Sequence, residues 1–98
     1  MSFELRWRSS GTKNYPVERL RMKLVPGGPS YDEKIIGKVY GSPTEHRSAN
    51  GKVQEVTEFR AHDILDDRAF FLDLAEAKKW VEERARKYAQ SILKFTGP

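Results

Sequence analysis

Polar and apolar residues alternate from the start of the chain. Phe3, Leu5 and Trp7 interleave with Glu4, Arg6 and Arg8, the period of two that marks a strand with one buried face. The pattern returns over residues 18–25, where Leu20, Met22 and Leu24 interleave with Arg19, Arg21 and Lys23. Lys34 to Tyr40 reads as a third strand. Both of its faces, Ile35-Gly37-Val39 and Ile36-Lys38-Tyr40, carry apolar residues, which suits a central position. Gly37 within it marks a bulge or a close packing contact. Val53 to Phe59 alternates imperfectly, and its Gln54, Glu55 and Glu58 suit an edge strand.

The segments between these runs have turn compositions. Ser9 to Pro16 is loop-like, and Pro26-Gly27-Gly28-Pro29-Ser30 breaks the chain between the second and third strands. Gly41 to Lys52 is polar and ends in Asn50-Gly51, a pair that favours positive φ and a tight hairpin turn. His62 to Asp67 reads as a turn of helix or a loop. Arg68 to Leu72 carries the apolar anchor Phe70-Phe71.

At Asp73 the period changes from two to 3.6. Leu74, Ala77, Val81, Ala85, Tyr88, Ala89, Ile92 and Phe95 fall on one stripe, opposite Glu76, Lys79, Glu83, Lys87, Gln90 and Lys94. Asp73 is a good N-cap, and Glu76 three residues on completes a capping-box pattern. Glu82–Arg86 and Glu83–Lys87 have the favourable i,i+4 order. Trp80 lies on the flank of the stripe. It either closes the edge of the core or, if exposed, anchors an interface. The expected fold is therefore α+β: a three- or four-stranded antiparallel sheet with one long C-terminal helix packed on one face, in a single domain over residues 1–98.

Composition narrows the class. Ninety-eight residues, 38% hydrophobic and 33% charged, make one domain with a modest core. There are no cysteines, so disulfides and thiolate metal sites are excluded. No apolar run approaches the roughly 18–20 residues of a membrane span, and Met1 to Leu5 lacks the layout of a secretory signal. The expected location is cytoplasmic, with no membrane partner. The formal net charge is +4, which admits nucleic acid or an acidic protein surface as partner.

Four segments carry candidate chemistry. If the apolar residues of the first two strands pack under the helix, Arg6, Arg8, Arg19, Arg21 and Lys23 share the opposite face. Ile36 and Tyr40, or Ile35 and Val39, would add an apolar strip beside them. Positive charge beside flat apolar groups suits a phosphate backbone with unstacked bases, whereas the plainer reading is a solvated sheet face. His62 and Asp63 with Asp66 and Asp67 form the second. On a helical turn His62 would share a face with Asp66, and Asp63 with Asp67, an arrangement that could hold a metal or share a proton. No further histidine or glutamate cluster completes such a site, and the plainer reading is a polar loop. The third is the serine- and histidine-bearing loop 42–52, which lacks any nucleophile-elbow or phosphate-loop pattern. Trp80 is the fourth. No catalytic residue, metal ligand or cofactor fingerprint emerges, and an enzyme is not expected.

Phe71-Leu-Asp-Leu-Ala-Glu-Ala-Lys-Lys-Trp-Val-Glu82 resembles a segment of many small phage and prophage proteins. In those, an apolar-Asp/Thr-Leu-x-x-Ala-Lys-x-Trp run opens a helix that packs on an antiparallel sheet. The match covers an eighth of the chain and carries packing residues alone. The same stretch resembles the end of WGR-type nucleic-acid-binding domains, in which a strand precedes Phe-x-x-x-x-Glu-Ala and a helix. Ile36-Gly37-Lys38 stands here where that family has its Trp-Gly-Arg signature.

The expected function is thus a small non-catalytic binding or regulatory protein of phage or mobile-element type. It would bind nucleic acid or a nucleoprotein through Arg6, Arg8, Arg19, Arg21, Lys23 and Tyr40, with Trp80 as a further contact. The alternative is an inhibitor or adaptor that docks on a host protein without touching nucleic acid.

Overall fold

Five strands precede one helix: β1 Ser2–Gly11, β2 Pro16–Val25, β3 Lys34–Arg47, β4 Val53–Asp63, β5 Arg68–Phe71 and α1 Leu74–Thr96. This is a computed structural model that describes residues 2–25 and 34–96, with side chains for 3–23 and 34–91. The expected turn at Pro26–Ser30 lies outside the described residues. The strands pair antiparallel in chain order, β1-β2-β3-β4-β5, and α1 packs against one face.

The α+β class and the helix match the sequence reading, but the sheet has five strands. Two differences account for this. β4 runs on to Asp63 and is internal, lying between β3 and β5, where the sequence suggested an edge. Its polar residues Gln54, Glu55 and Glu58 belong to a portion that extends past β5, so they meet solvent in spite of the central strand order. The Phe70-Phe71 anchor is itself β5. Four residues with apolar groups on both faces are too short to show a period.

The core lies between the helix and the covered face. Leu20, Met22, Ile36, Val39 and Ala61 from the sheet meet Ala77, Val81, Ala85 and Ala89 from α1. Those helix residues recur every fourth position, and three of the four are alanine. Small side chains let the helix axis approach the sheet closely. Gly37 completes the fit: a Cβ there would collide with Val81 Cγ1. The β2–β3 register also shifts beside it, where Leu20 faces Gly37 but Arg21 faces Ile35. Both readings of Gly37, bulge and close contact, therefore hold. Leu74 and Tyr88 lie at the margin of this stripe; the side chains of Ile92 and Phe95 fall outside the described ones.

Polar contacts fix the helix over the sheet. Trp7 Nε1–H donates to Glu82 Oε1 at 2.5 Å, which ties α1 to β1. Glu18 is buried on β2; it accepts from Ser9 Oγ at 2.6 Å and pairs with Lys78 at 3.4 Å. The Glu76 backbone N–H donates to Asp73 Oδ2 at 3.4 Å, which places the N-cap where the sequence indicated.

β3 and β4 outrun the rest of the sheet. Pairing with β2 reaches only as far as Tyr40, and pairing with β5 only as far as Phe59. Beyond those points Ser42–Arg47 and Val53–Glu58 pair, among the described residues, only with each other, as a two-stranded arm. Much of the segment that looked like a loop is thus strand. The turn at its tip uses Ser48 to Lys52: the Gly51 N–H donates to the Ser48 carbonyl and the Ser48 N–H to the Lys52 carbonyl. Gly51 has φ 82° while Asn50 stays at negative φ. The Asn-Gly pair therefore makes a three-residue loop with a glycine bulge instead of a two-residue turn.

Candidate nucleic-acid interface

The face of the sheet without the helix is built by strand register. Arg8 lies opposite Arg19, Arg19 opposite Lys38, Lys38 opposite His62 and His62 opposite Arg68. One row of cationic or protonatable side chains thus crosses all five strands, about 19 Å at ~4.8 Å per strand. The next row toward the arm reads Ser10, Val17, Tyr40, Arg60 and Phe70. On the other side lie Arg6, Arg21 and Ile35, and then Glu4 with Lys23.

Among strand residues this face holds eight of the eighteen Lys and Arg residues. Its only strand carboxylates are Glu4 and Glu58, two of the fourteen in the chain. Ten basic and twelve acidic residues remain for the rest of the sequence. The positive excess of the protein is therefore carried by this one surface.

Local contacts arrange these side chains. Arg19 Nη1 donates to Ser10 Oγ at 2.9 Å. The Arg60 guanidinium stands 5.4 Å from the Phe70 ring centre, and Phe70 is 58% exposed. His62 meets Tyr40 edge to face at 5.7 Å. Asp66 closes the β5 end of the row, 3.8 Å from His62 Nδ1 and 3.7 Å from Arg68 Nη2. An open depression of about 500 Å³ sinks into the middle of the face, lined by Tyr15, Val17, Tyr40, Ser42, Arg60, His62 and Arg68.

The carboxylate-rich segment 62–67 has a different shape from the one its sequence suggested. It is the end of β4 and a hairpin turn. The Asp66 N–H donates to the Asp63 carbonyl and the Asp63 N–H to the Asp67 carbonyl, the same pattern as at Ser48–Lys52. Asp66 takes the bulge position, with φ 65°. Because His62 and Asp63 are strand neighbours, they point to opposite faces. His62 joins the cationic row, while Asp63 is buried on the helix side. There it accepts the Leu65 and Asp67 N–H groups, each at 2.9 Å, and Arg84 Nε at 2.5 Å. Burial alone would raise the Asp63 pKa. The hydrogen bonds from Arg84, Asp67 and Leu65 outweigh it and hold the carboxyl below its ordinary value.

Six of the seven residues singled out from sequence share the helix-free face: Arg6, Arg8, Arg19, Arg21, Lys23 and Tyr40. Trp80 does not join them. It sits on α1 beside the core, 6.3 Å from the Phe71 ring centre, with the Arg84 guanidinium 4.6 Å over its own ring. Sequence reasoning grouped His62 with Asp63, Asp66 and Asp67, and did not place Lys38, Arg60, His62, Arg68 and Phe70 on this face. They lie on three strands and become neighbours only through register.

The fold and this surface define a class: an antiparallel five-stranded sheet with one helix-covered face and one open cationic face bearing aromatic rings. No family model, curated protein or solved structure matches the chain.

Proposed function

We propose that this protein binds nucleic acid through the helix-free face of its sheet, as a non-catalytic module of phage or mobile-element type. The observation that carries this reading is the five-strand row Arg8–Arg19–Lys38–His62–Arg68. Like charges directly opposite one another across strands destabilise a sheet. A row of them is tolerated when an anion neutralises it, and a phosphate backbone supplies charge at regular spacing. The exposed Phe70 ring and the half-buried Tyr40 ring in the adjoining row add surfaces on which bases can rest.

The test compares two charge reversals of equal size. Arg8→Glu with Arg60→Glu changes two exposed positions on this face. Arg86→Glu with Lys87→Glu changes two exposed positions on the outer side of α1. Binding of labelled oligonucleotides, followed by fluorescence anisotropy, should weaken steeply with salt for the wild type. The first pair should abolish it and the second should leave it nearly unchanged. Equal losses from both pairs, or no salt-sensitive binding by the wild type, would overturn the reading. In the latter case an acidic surface of a host protein becomes the better occupant of the face.

A further inference from the structure

We infer that the nucleic acid recognised is single-stranded, with one unpaired base seated in the central depression against Tyr40. This rests on the proposed function and adds the strandedness of the ligand and the place where a base enters. A duplex keeps its bases stacked and presents phosphates to a flat surface, so it would use the cations and leave the rings idle. The geometry fits an unstacked base better. The depression is about 500 Å³ and open to solvent, within the roughly 300–1,000 Å³ range of small-ligand pockets. Its lining combines rings with cations: Tyr15 is 58% exposed at its rim, Tyr40 forms its wall, and Arg60 and Arg68 stand at its β4 and β5 side.

Position matters as much as size. Tyr40 is on the central strand, with Val17 opposite it on one side and Arg60 on the other. The row that crosses all five strands lies one step away along the strands, through Lys38 and His62. A base held at Tyr40 therefore has its own phosphates within reach of that row. The His62 ring stands perpendicular to the Tyr40 ring at 5.7 Å, which puts a polar group beside the base. Phe70 lies two strands further on in the same row, about 10 Å at ~4.8 Å per strand, with Arg60 across its face. It offers a second ring for a neighbouring base.

Three probes of equal phosphate number test this: a single-stranded oligothymidylate, the same strand with abasic positions, and a blunt duplex. The wild type should bind the oligothymidylate at least about tenfold more tightly than either of the others, given the stacking contribution of a single base. Tyr40→Ala should erase that preference, with affinity for the single strand falling by about tenfold and affinity for the duplex unchanged. Tyr40→Phe keeps the ring and should retain it. Circular dichroism melts of each variant establish that the sheet is intact. If all three probes bind equally at the same salt, or Tyr40→Ala binds the single strand as the wild type does, the inference is overturned while cationic binding stands. If no probe shows salt-sensitive binding, the proposed function falls and the inference with it.

Discussion

Single residues set how closely the helix can lie on the sheet. Gly37 and Val81 touch at the centre of that contact, and Val81 is a stiff β-branched side chain on a helix. Gly37→Ala should therefore cost about 1–3 kcal/mol through overpacking. Adding Val81→Ala should recover part of that loss, so the two changes should be less than additive in a denaturant double-mutant cycle. Additive losses would mean that the helix does not rest on Gly37. Asp63 acts at the same scale through charge. Its carboxyl is held below its ordinary value, chiefly because hydrogen bonds from Arg84, Asp67 and Leu65 overcome the penalty of burial. A depressed acid contributes stability that is fully present above the unfolded-state value, about 3.9 for Asp. That stability fades as pH falls through the lower folded-state value. Asp63→Asn should flatten this acid limb of a melting-temperature profile, while Asp67→Asn, at a more exposed carboxyl, should change it less. Gly37 pointed from sequence to a bulge or a close packing contact, although not to Val81 as the group it meets. Asp63 looked like part of a histidine–aspartate cluster until strand alternation parted it from His62.

Secondary elements differ in how plainly the sequence declares them. β1, β2 and α1 each bury one face and expose the other, so their periods of two and 3.6 stand out. β5 is four residues with apolar groups on both sides, and the outer half of β3 was masked by Ser42 and Pro43, residues more common in turns. The arm they form has a clear consequence. Ser42–Arg47 and Val53–Glu58 have no partner strand beyond each other among the described residues. Excising the four pairs from Thr44↔Val56 to Arg47↔Val53 keeps the alternation and the Ser48–Lys52 turn. That shortened protein should unfold cooperatively with stability within about 1 kcal/mol of the parent, since surface changes away from the core have small effects. The arm amides should be among the fastest of the strand amides in hydrogen exchange. A large loss of stability would mean the arm packs on the body of the molecule. At the helix start, Asp73→Ala should cost about 1 kcal/mol in denaturant unfolding by removing the N-cap.

At the scale of the whole molecule, a modest net charge of +4 hides a polarity, because the strands of one face carry eight of the eighteen Lys and Arg residues but two of the fourteen carboxylates. The β1 and β2 part of that face was legible from alternation alone. Lys38, His62 and Arg68 were not, since a single sequence carries no record of which strand lies beside which. Charge and rings on this surface should leave different marks on binding. Each phosphate neutralised by a cation contributes about 0.7 to the slope of log affinity against log salt for a single strand. Arg8→Ala should therefore lower that slope by about this amount and weaken every polyanion alike. Tyr40→Ala removes no charge, so it should weaken single-strand binding while leaving the slope where it was. Measuring both slopes over the same salt series separates the two contributions. If Tyr40→Ala lowers the slope as Arg8→Ala does, the ring acts by positioning a cation and not by stacking. If neither variant changes affinity, the row and its neighbouring rings are a solvated surface, and the partner of this protein lies on another face.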